Sequence, residues 1–306
     1  MVSAVGGVPG SEGDTPFPVL RDPVVIMAFE GWNDAGDAAT GAVEHLELVW
    51  QAVPLFEIDP DDYYDFQVNR PTVSLVDGVT RRVTWPTTRV SYCSPPGADY
   101  DLVLVRGIEP NMRWRGFCDE IIEVLSDLQI HTAVNLGALL SDTPHTRPVQ
   151  VSGSSYDTES ATRFGLEHSR YEGATGILGI LQDAFVTAGI PAVSFWASVP
   201  HYVSQPPNPK ATIALLHAVE EVLDLTVPLE ELPTQAEEWQ KLVDEMAAED
   251  DEVTEYIRNL EERDDEGGMR ETSGDTIARE FERWLRRRDR GDRGDRGPGG
   301  FAGPTG

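Results

Sequence analysis

The polar residues with the most potential for chemistry lie in one short turn, directly after the first apolar run of the sequence. Glu30, Asn33, Asp34 and Asp37 fall close together there, and Trp32 lies among them. Ligands of an open α/β sheet bind beyond the carboxyl ends of its strands, so these carboxylates could hold Mg²⁺ or act as acid and base. The same groups could instead cap the helix that follows and complement its positive end. Because no phosphate-binding motif accompanies them, we favour capping.

Two histidines, His145 and His201, are the other candidates for chemistry, because each is expected in a loop just after a strand. The alternative, which the pattern favours, is an imidazole bonded to a backbone carbonyl or placed at a subunit contact. The six histidines show neither an H-x-x-x-H nor an H-x-H spacing, so no metal site is predicted from them.

A glycine-rich stretch from Gly173 to Gly179 places Thr175 and Gly176 at the start of an expected helix. It lacks the G-x-G pair that lets backbone approach a pyrophosphate, and the chain contains no P-loop and no G-x-S-x-G elbow. These glycines suit a turn into a helix and close helix–sheet packing, with a small anion at the helix N-terminus as the alternative. We therefore predict no cofactor, no metal and no catalytic residue. The candidate pocket or interface consists of Glu30, Trp32, Asn33, Asp34, His145, Thr175, Gly176 and His201.

The elements that must position these residues alternate between buried strands and helices. Apolar runs predict strands over 23–29, 101–106, 132–137 and 191–196, and helical spacing predicts helices over 117–128, 175–188 and 212–223. This alternation predicts an α/β fold with a mixed, mostly parallel central sheet flanked by helices. Asp77-Gly78 between two apolar segments predicts a hairpin, expected to form an antiparallel part of the sheet near residues 71–92. Residues 147–152 are a further strand candidate.

Four zones divide the chain. They are a disordered leader over 1–20, an α/β domain over 21–226, an acidic helical extension over 227–289, and a disordered Asp/Arg/Gly tail over 290–306. Residues 229–266 hold 16 acidic and 3 basic residues. We expect these helices to pack on the domain or on a neighbouring subunit, with a docking surface for a basic partner as the alternative. Ile277, Phe281, Trp284 and Leu285 mark a third helix of the extension.

Composition and charge narrow the function classes. The 306 residues include 24 Lys and Arg against 53 Asp and Glu, which gives a net charge of −29. A surface this negative repels phosphate backbones and anionic lipid, so we predict no nucleic-acid and no membrane partner. Two cysteines cannot build a disulfide framework or a four-cysteine zinc site, and no apolar stretch reaches membrane-span length. A cytoplasmic protein is expected.

Several of these stretches together resemble the proteasome assembly chaperone family, in particular the bacterial, actinobacterial members related to the second of those chaperones. The resemblance covers about residues 20–226, and the following helices resemble the C-terminal extension of the bacterial members. It depends on the order and the amino-acid sequence of six segments. They are 23–39 with its Gly31-Trp32-Asn33-Asp34 block, 101–114, 135–137, 143–146, 173–177 and 196–203.

The resemblance implies a phosphorylase/hydrolase-like α/β domain, an oligomer and a non-catalytic role in guiding proteasome subunits. We therefore predict a homo-oligomeric protein that acts through protein–protein interaction, with itself and proteasome subunits as partners. The apolar helix faces and the aromatic residues Trp32, Trp114 and Trp196 also favour self-association. The alternative is a phosphorylase/hydrolase-like enzyme or small-ligand binder with a pocket near the first strand–helix turn.

Overall fold

A nine-stranded sheet forms the centre of the computed structural model, which describes residues 2–3 and 17–267 of the chain. In chain order the strands are β1 (Val2–Ser3), β2 (Val24–Glu30), β3 (Val53–Ile58), β4 (Thr72–Val76), β5 (Thr80–Thr84), β6 (Arg89–Cys93), β7 (Leu102–Ile108), β8 (Thr132–Ser141), β9 (Val151–Ser155), β10 (Glu167–His168) and β11 (Ala192–Pro200). The helices are α1 (Ala38–Val49), α2 (Trp114–Asp127), α3 (Thr158–Phe164), α4 (Ile177–Ala188), α5 (Pro209–Leu223), α6 (Leu232–Ala248) and α7 (Asp251–Gly267).

The strand order confirms the predicted mixed sheet. It runs β1-β3-β6-β7-β2-β8-β11-β9-β10. The four central strands β7, β2, β8 and β11 are parallel to their neighbours in this group, whereas β6 pairs antiparallel with β7 and β9 antiparallel with β11. The strand expected over 147–152 is β9, shifted by a few residues. All of these connections bring the carboxyl ends of the central strands to one edge of the sheet, which is where the candidate turn lies.

Side chains of β2 divide between two apolar cores, one on each face of the sheet. Val24, Ile26 and Ala28 pack with the buried faces of α1 and α5. Val25 and Met27, with Phe29, pack with α2 and α4 on the other face. A strand covered on both faces has no polar alternation, and this explains why the apolar run after Pro23 predicted it correctly.

The hairpin of β4 and β5 forms as predicted, but its expected place in the central sheet is wrong. The two strands pair only with each other, in a separate two-stranded sheet. All ten of their residues are exposed, so neither face is held against a core. The antiparallel part of the central sheet in this region is β6, where Val90 and Cys93 are buried.

The helical extension packs on the α/β domain through α6 and α7. These helices cover the spacing predicted from Trp239 to Met246 and from Val253 to Leu260, and they bury Val243, Ile257 and Leu260. The third predicted helix, the tail over 290–306 and most of the leader over 1–20 lie outside the described residues. Among the described residues, no helix is long and apolar enough to cross a membrane.

Candidate functional site

The turn between β2 and α1 is built from backbone conformations that favour glycine. Gly31 has a φ of 112° and Gly36 a φ of 66°, values that side chains with a Cβ rarely adopt. A Cβ on Gly36 would also lie 2.8 Å from the Cβ of Asn208 at the start of α5. The Gly36 carbonyl accepts a hydrogen bond of 2.8 Å from the Asn208 backbone amide. The tight turn therefore brings the starts of α1 and α5 together.

Asp34 is the buried acid of this turn and caps α1. Its carboxylate accepts hydrogen bonds from the backbone amides of Ala39 at 2.6 Å and Thr40 at 3.1 Å, and from the Thr40 hydroxyl. Burial raises the pKa of Asp34 to about 6, although the three hydrogen bonds oppose this shift. The predicted capping role is confirmed for Asp34, whose carboxylate binds amides in the first turn of the helix.

Asn33 links the turn to two neighbouring strands. Its backbone carbonyl accepts from the Ala138 amide of β8 at 2.8 Å. Its side-chain amide donates to the Glu109 carboxylate, just after β7, also at 2.8 Å. Asn33 is fully buried, and these two bonds satisfy its backbone carbonyl and its side-chain NH₂ group, whereas its side-chain oxygen has no hydrogen-bond partner among the described residues.

The same carboxylate oxygen of Glu109 closes the N-terminus of α4. It accepts from the Ile177 backbone amide at 2.8 Å. A negative side chain at a helix N-terminus satisfies a free amide and is attracted by the helix dipole. The alternative of a small external anion at this end is therefore not supported, because a carboxylate of the chain already takes that position.

Gly176 is needed because Trp32 and Asn33 pack directly on it. A Cβ at Gly176 would lie 2.2 Å from the Asn33 side-chain oxygen and 2.7 Å from the Trp32 ring. Thr175, beside it, is half-buried, and Glu30 is exposed at the end of β2. Six of the eight predicted site residues thus belong to one region, the turn after β2 and the start of α4.

His145 and His201 have a different role, because they contact the helical extension. His145 is buried, and its ring nitrogens lie 2.8 Å from the Tyr202 hydroxyl and 2.9 Å from the Asp244 carboxylate of α6. The ring of His201 packs edge-to-face on Tyr202 and Tyr256, with centroid distances of 5.9 and 5.5 Å. Both histidines thus contact groups of their own chain, and the partners of His145 are a hydroxyl and a carboxylate instead of the backbone carbonyl or subunit contact that the sequence favoured.

Further polar contacts join the loop after His145 to the extension. The Lys210 ammonium donates to the His145 carbonyl and, at 2.9 Å, to Gln240 of α6. Burial lowers the pKa of Lys210, and the Asp244 charge opposes that shift. Arg147 donates to both Asp265 oxygens of α7, at 2.8 and 2.9 Å. The loop therefore fixes the extension to the sheet edge.

The sequence analysis did not predict three of the residues that make these contacts, which are Glu109, Tyr202 and Asp244. Glu109 was noticed only as part of a resembling segment, although an acid directly after a buried strand is the same signal that selected Asp34. Tyr202 follows His201 in the chain, whereas Asp244 lies 99 residues beyond its partner His145. No local pattern predicts a contact of that separation.

The chemistry available at the turn is limited, because its buried groups bind other parts of the chain. Asp34 and Glu109 each accept hydrogen bonds from helix amides, and Asn33 bridges two strands. Within the part of the chain that the structure describes, no group of three or more His, Cys, Asp or Glu could hold a metal ion. A surface groove does exist, but it lies between α5 and β9 and none of the eight predicted residues lines it.

The protein is thus of the α/β class, with four parallel central strands flanked on each side by an antiparallel pair and a turn after β2 whose buried polar groups bond within the chain. The PAC2 family model matches residues 28–247, and the chain belongs to the PAC2 family. This confirms the resemblance noted in the sequence. No match was found among curated proteins.

Solved structures of related proteins show the same fold. A PAC2 family protein from Streptomyces avermitilis is 57% identical, with a TM-score of 0.72, over 77% of this chain and 100% of that chain. A proteasome-assembly chaperone homologue from Mycobacterium tuberculosis is 63% identical, with a TM-score of 0.70, over 76% of this chain and 99% of that chain. An archaeal homologue of proteasome-assembly chaperone from Pyrococcus furiosus, at 17% identity and a TM-score of 0.56, shares the fold over 86% of this chain and 99% of that chain.

The buried Asp34 predicts a pH dependence of stability. Its folded pKa of about 6 lies above the ordinary 3.8, so the folded state binds a proton more tightly than the unfolded state between these values. The unfolding free energy of the wild type relative to Asp34→Asn should therefore fall by about 2 kcal/mol as the pH rises from 4 to 7. Urea unfolding of both proteins across this range measures the difference, and a difference that stays flat contradicts the prediction.

Thr40→Val provides a direct check on the same group. It removes a hydroxyl that lowers the Asp34 pKa, so the midpoint of Asp34 titration should move above its wild-type value. The carboxyl carbon resonance of Asp34, followed by NMR in both proteins, reports this midpoint. A shift to lower pH would show that the hydroxyl does not bind the charged form.

The shared oxygen of Glu109 predicts a graded loss of stability. Glu109→Ala leaves the Asn33 amide and the Ile177 amide without their acceptor, and should cost about 2–4 kcal/mol. Glu109→Gln keeps an acceptor and loses only the charge at the helix N-terminus, and should cost about 1 kcal/mol. Denaturant unfolding tests both variants, with exposed Glu123→Ala in α2 as a control that should change stability by less than about 0.5 kcal/mol. Equal losses for Ala and Gln would show that the charge, and not the two hydrogen bonds, determines the effect.

Proposed function

We propose that this protein is a non-catalytic, homo-oligomeric chaperone of the PAC2 family that acts by binding proteins, with proteasome subunits as its clients. The proposal is supported by the family and by the 63% identity to a proteasome-assembly chaperone homologue. We expect it to act in the cytoplasm, without a cofactor and without nucleic-acid or membrane partners. The net charge of −29 supports the last two expectations.

The observation that carries the proposal is the exposed hairpin of β4 and β5, which we call the hairpin arm (residues 72–84). Val73 is paired with Val83 across the hairpin, and Leu75 lies two residues along on the same face. These three side chains are 59%, 49% and 59% exposed. An isolated two-stranded hairpin has little stability in water, so an apolar face of this kind is typical of a surface that a partner covers.

The charge of the hairpin arm favours a second copy of the chain as that partner. Arg81 and Arg82 lie on β5, and Asp77 is the one acid between residues 72 and 84. The rest of the molecule is strongly acidic, with 16 acids over residues 229–266. A basic, apolar projection on an acidic body complements the body of a neighbouring subunit, and such complementarity guides association. Trp32, Trp114 and Trp196, by contrast, are half-buried and contribute less to the exposed apolar surface.

The alternative, an enzyme or small-ligand binder at the turn after β2, has less support. Its buried polar groups hold α1, α4 and β8 in place, and a substrate would have to displace these bonds. His145 and His201 contact the helical extension, whereas Glu30 and Asn33 belong to the turn after β2. The arrangement favours a rigid scaffold that presents surfaces to other proteins.

The hairpin arm predicts a variant that separates the subunits. Leu75→Glu with Val83→Glu replaces two of the three apolar side chains on the face that also carries Arg81, and should raise the dissociation constant of the oligomer at least about tenfold. Ser74→Glu is the matched control, because Ser74 lies on the other face opposite Arg82 and should leave assembly unchanged. Analytical ultracentrifugation of the three proteins gives the constants, and an oligomer that resists the double substitution would place the interface elsewhere.

Native mass spectrometry of the purified protein, alone and mixed with the host's unassembled proteasome α and β subunits, tests the client. We expect a defined oligomer that captures a subunit or a half-assembled ring. An oligomer that ignores these subunits and retains a small molecule would contradict the chaperone proposal and favour the ligand-binding alternative. The Leu75→Glu, Val83→Glu protein in parallel shows whether capture requires the oligomer.

A further inference from the structure

A groove of about 570 Å³ opens on the face of the sheet that α5 covers. One wall is α5, with Ile213, Ala218 and Val222, and the other is formed by Val151 of β9 together with Phe164 and Leu166. All six of these lining residues are half-buried. The volume lies in the range of ordinary binding pockets, so the groove can accept several large side chains.

The rim of this groove is polar, with the cation Lys210 among its lining residues and acidic side chains near both walls. Glu221 and His217 of α5 are exposed at its edge. On the other side, Gln150 donates to Asp264 of α7 at 3.3 Å, directly beside the lining residue Val151. An occupant with an apolar stripe flanked by cations fits this combination of floor and rim.

The described chain ends beside the groove. Arg147 and Gln150 bind Asp265 and Asp264, in the last turn of α7, while Pro148 and Val149 between them line the groove. The described part of the chain therefore ends near the edge of the groove. Nine residues, 268–276, precede the next apolar segment and can span up to about 30 Å when extended.

That apolar segment, residues 277–288, has the matching pattern. Ile277, Phe281, Trp284 and Leu285 follow the i, i+4, i+7, i+8 spacing of one helix face. The same twelve residues contain five arginines and two glutamates, in a chain whose net charge is −29. The pattern predicts a basic amphipathic helix, which would be about 18 Å long, nine residues after the end of α7.

We propose that residues 277–288 dock in this groove of their own chain as an amphipathic helix, with the apolar face toward Phe164, Leu166 and Val222 and the arginines toward Glu221 and the end of α7. The short tether makes the contact intramolecular, because it raises the local concentration of the segment at the groove. This inference does not depend on the identity of the clients.

Thiol crosslinking in the full-length protein tests the docking. The two native cysteines, Cys93 and Cys118, are buried, so new thiols react selectively. His217→Cys at the groove rim is combined with Ala278→Cys, which borders the apolar stripe without replacing it. Val186→Cys on α4, at the opposite face of the sheet, replaces His217→Cys in the matched control.

With a short bismaleimide, the His217 pair should form an intrachain link at least about tenfold faster than the Val186 pair. Equal rates would overturn the proposal, and links between chains would show that the segment enters the groove of a second copy instead. Adding Phe281→Asp and Trp284→Asp to the His217 pair should lower the intrachain rate about tenfold, whereas Phe301→Asp should not. An unchanged rate in the aspartate variant would also overturn it, because the proposed apolar face would then be dispensable.

Discussion

The fold depends on one buried polar turn that joins both layers of helices to the centre of the sheet. Asn33 bonds to β8 through its carbonyl and to Glu109, after β7, through its amide. Glu109 in turn holds the first amide of α4 on one face, while Asp34 holds α1 on the other. Hydrophobic packing is non-directional and would tolerate small shifts of these helices. The hydrogen bonds of the turn fix their positions, because an unpaired buried amide is costly.

This turn also shows how a site that resembles a catalytic one can serve structure. Paired acids, an amide and a glycine-rich helix start lie at the carboxyl edge of parallel strands, where α/β enzymes place their chemistry. Here Gly176 brings the helix so close that Asn33 and Trp32 contact its backbone. The raised pKa of Asp34 arises mainly from burial, with a further contribution from the charge of Asp37. Because its carboxylate is already bonded to amides of α1, the shift reflects a cost of folding. The two cases differ in whether the polar groups are already bonded to other parts of the chain, as they are here, and the local sequence does not encode those distant partners.

The fold was largely predictable because its strongest signals are local. The strand before Glu30 is apolar on both faces, and the glycines after it predict a sharp turn. A few consecutive residues are therefore enough to predict each element. The hairpin of residues 72–84 was predicted correctly, but its place in the central sheet was wrong. Tertiary contacts, and not the local sequence, determine which strands a hairpin pairs with. The site was predicted in part for the same reason. Asp34 caps the adjacent helix, whereas Glu109 and His145 take partners 76 and 99 residues away.

Stability is unevenly distributed between the sheet and the helical extension. The sheet is covered by two large apolar cores, whereas α6 and α7 bury few side chains and depend on polar contacts such as His145 with Asp244. The bond between Arg147 and Asp265 is exposed, and exposed ion pairs of this kind contribute at most about 1 kcal/mol. Elements held in this way open at lower free energy than the core. A partner that displaces α6 or α7 therefore has to supply little free energy. The sheet, with its two apolar cores, keeps the other surfaces in fixed relative positions when these helices move.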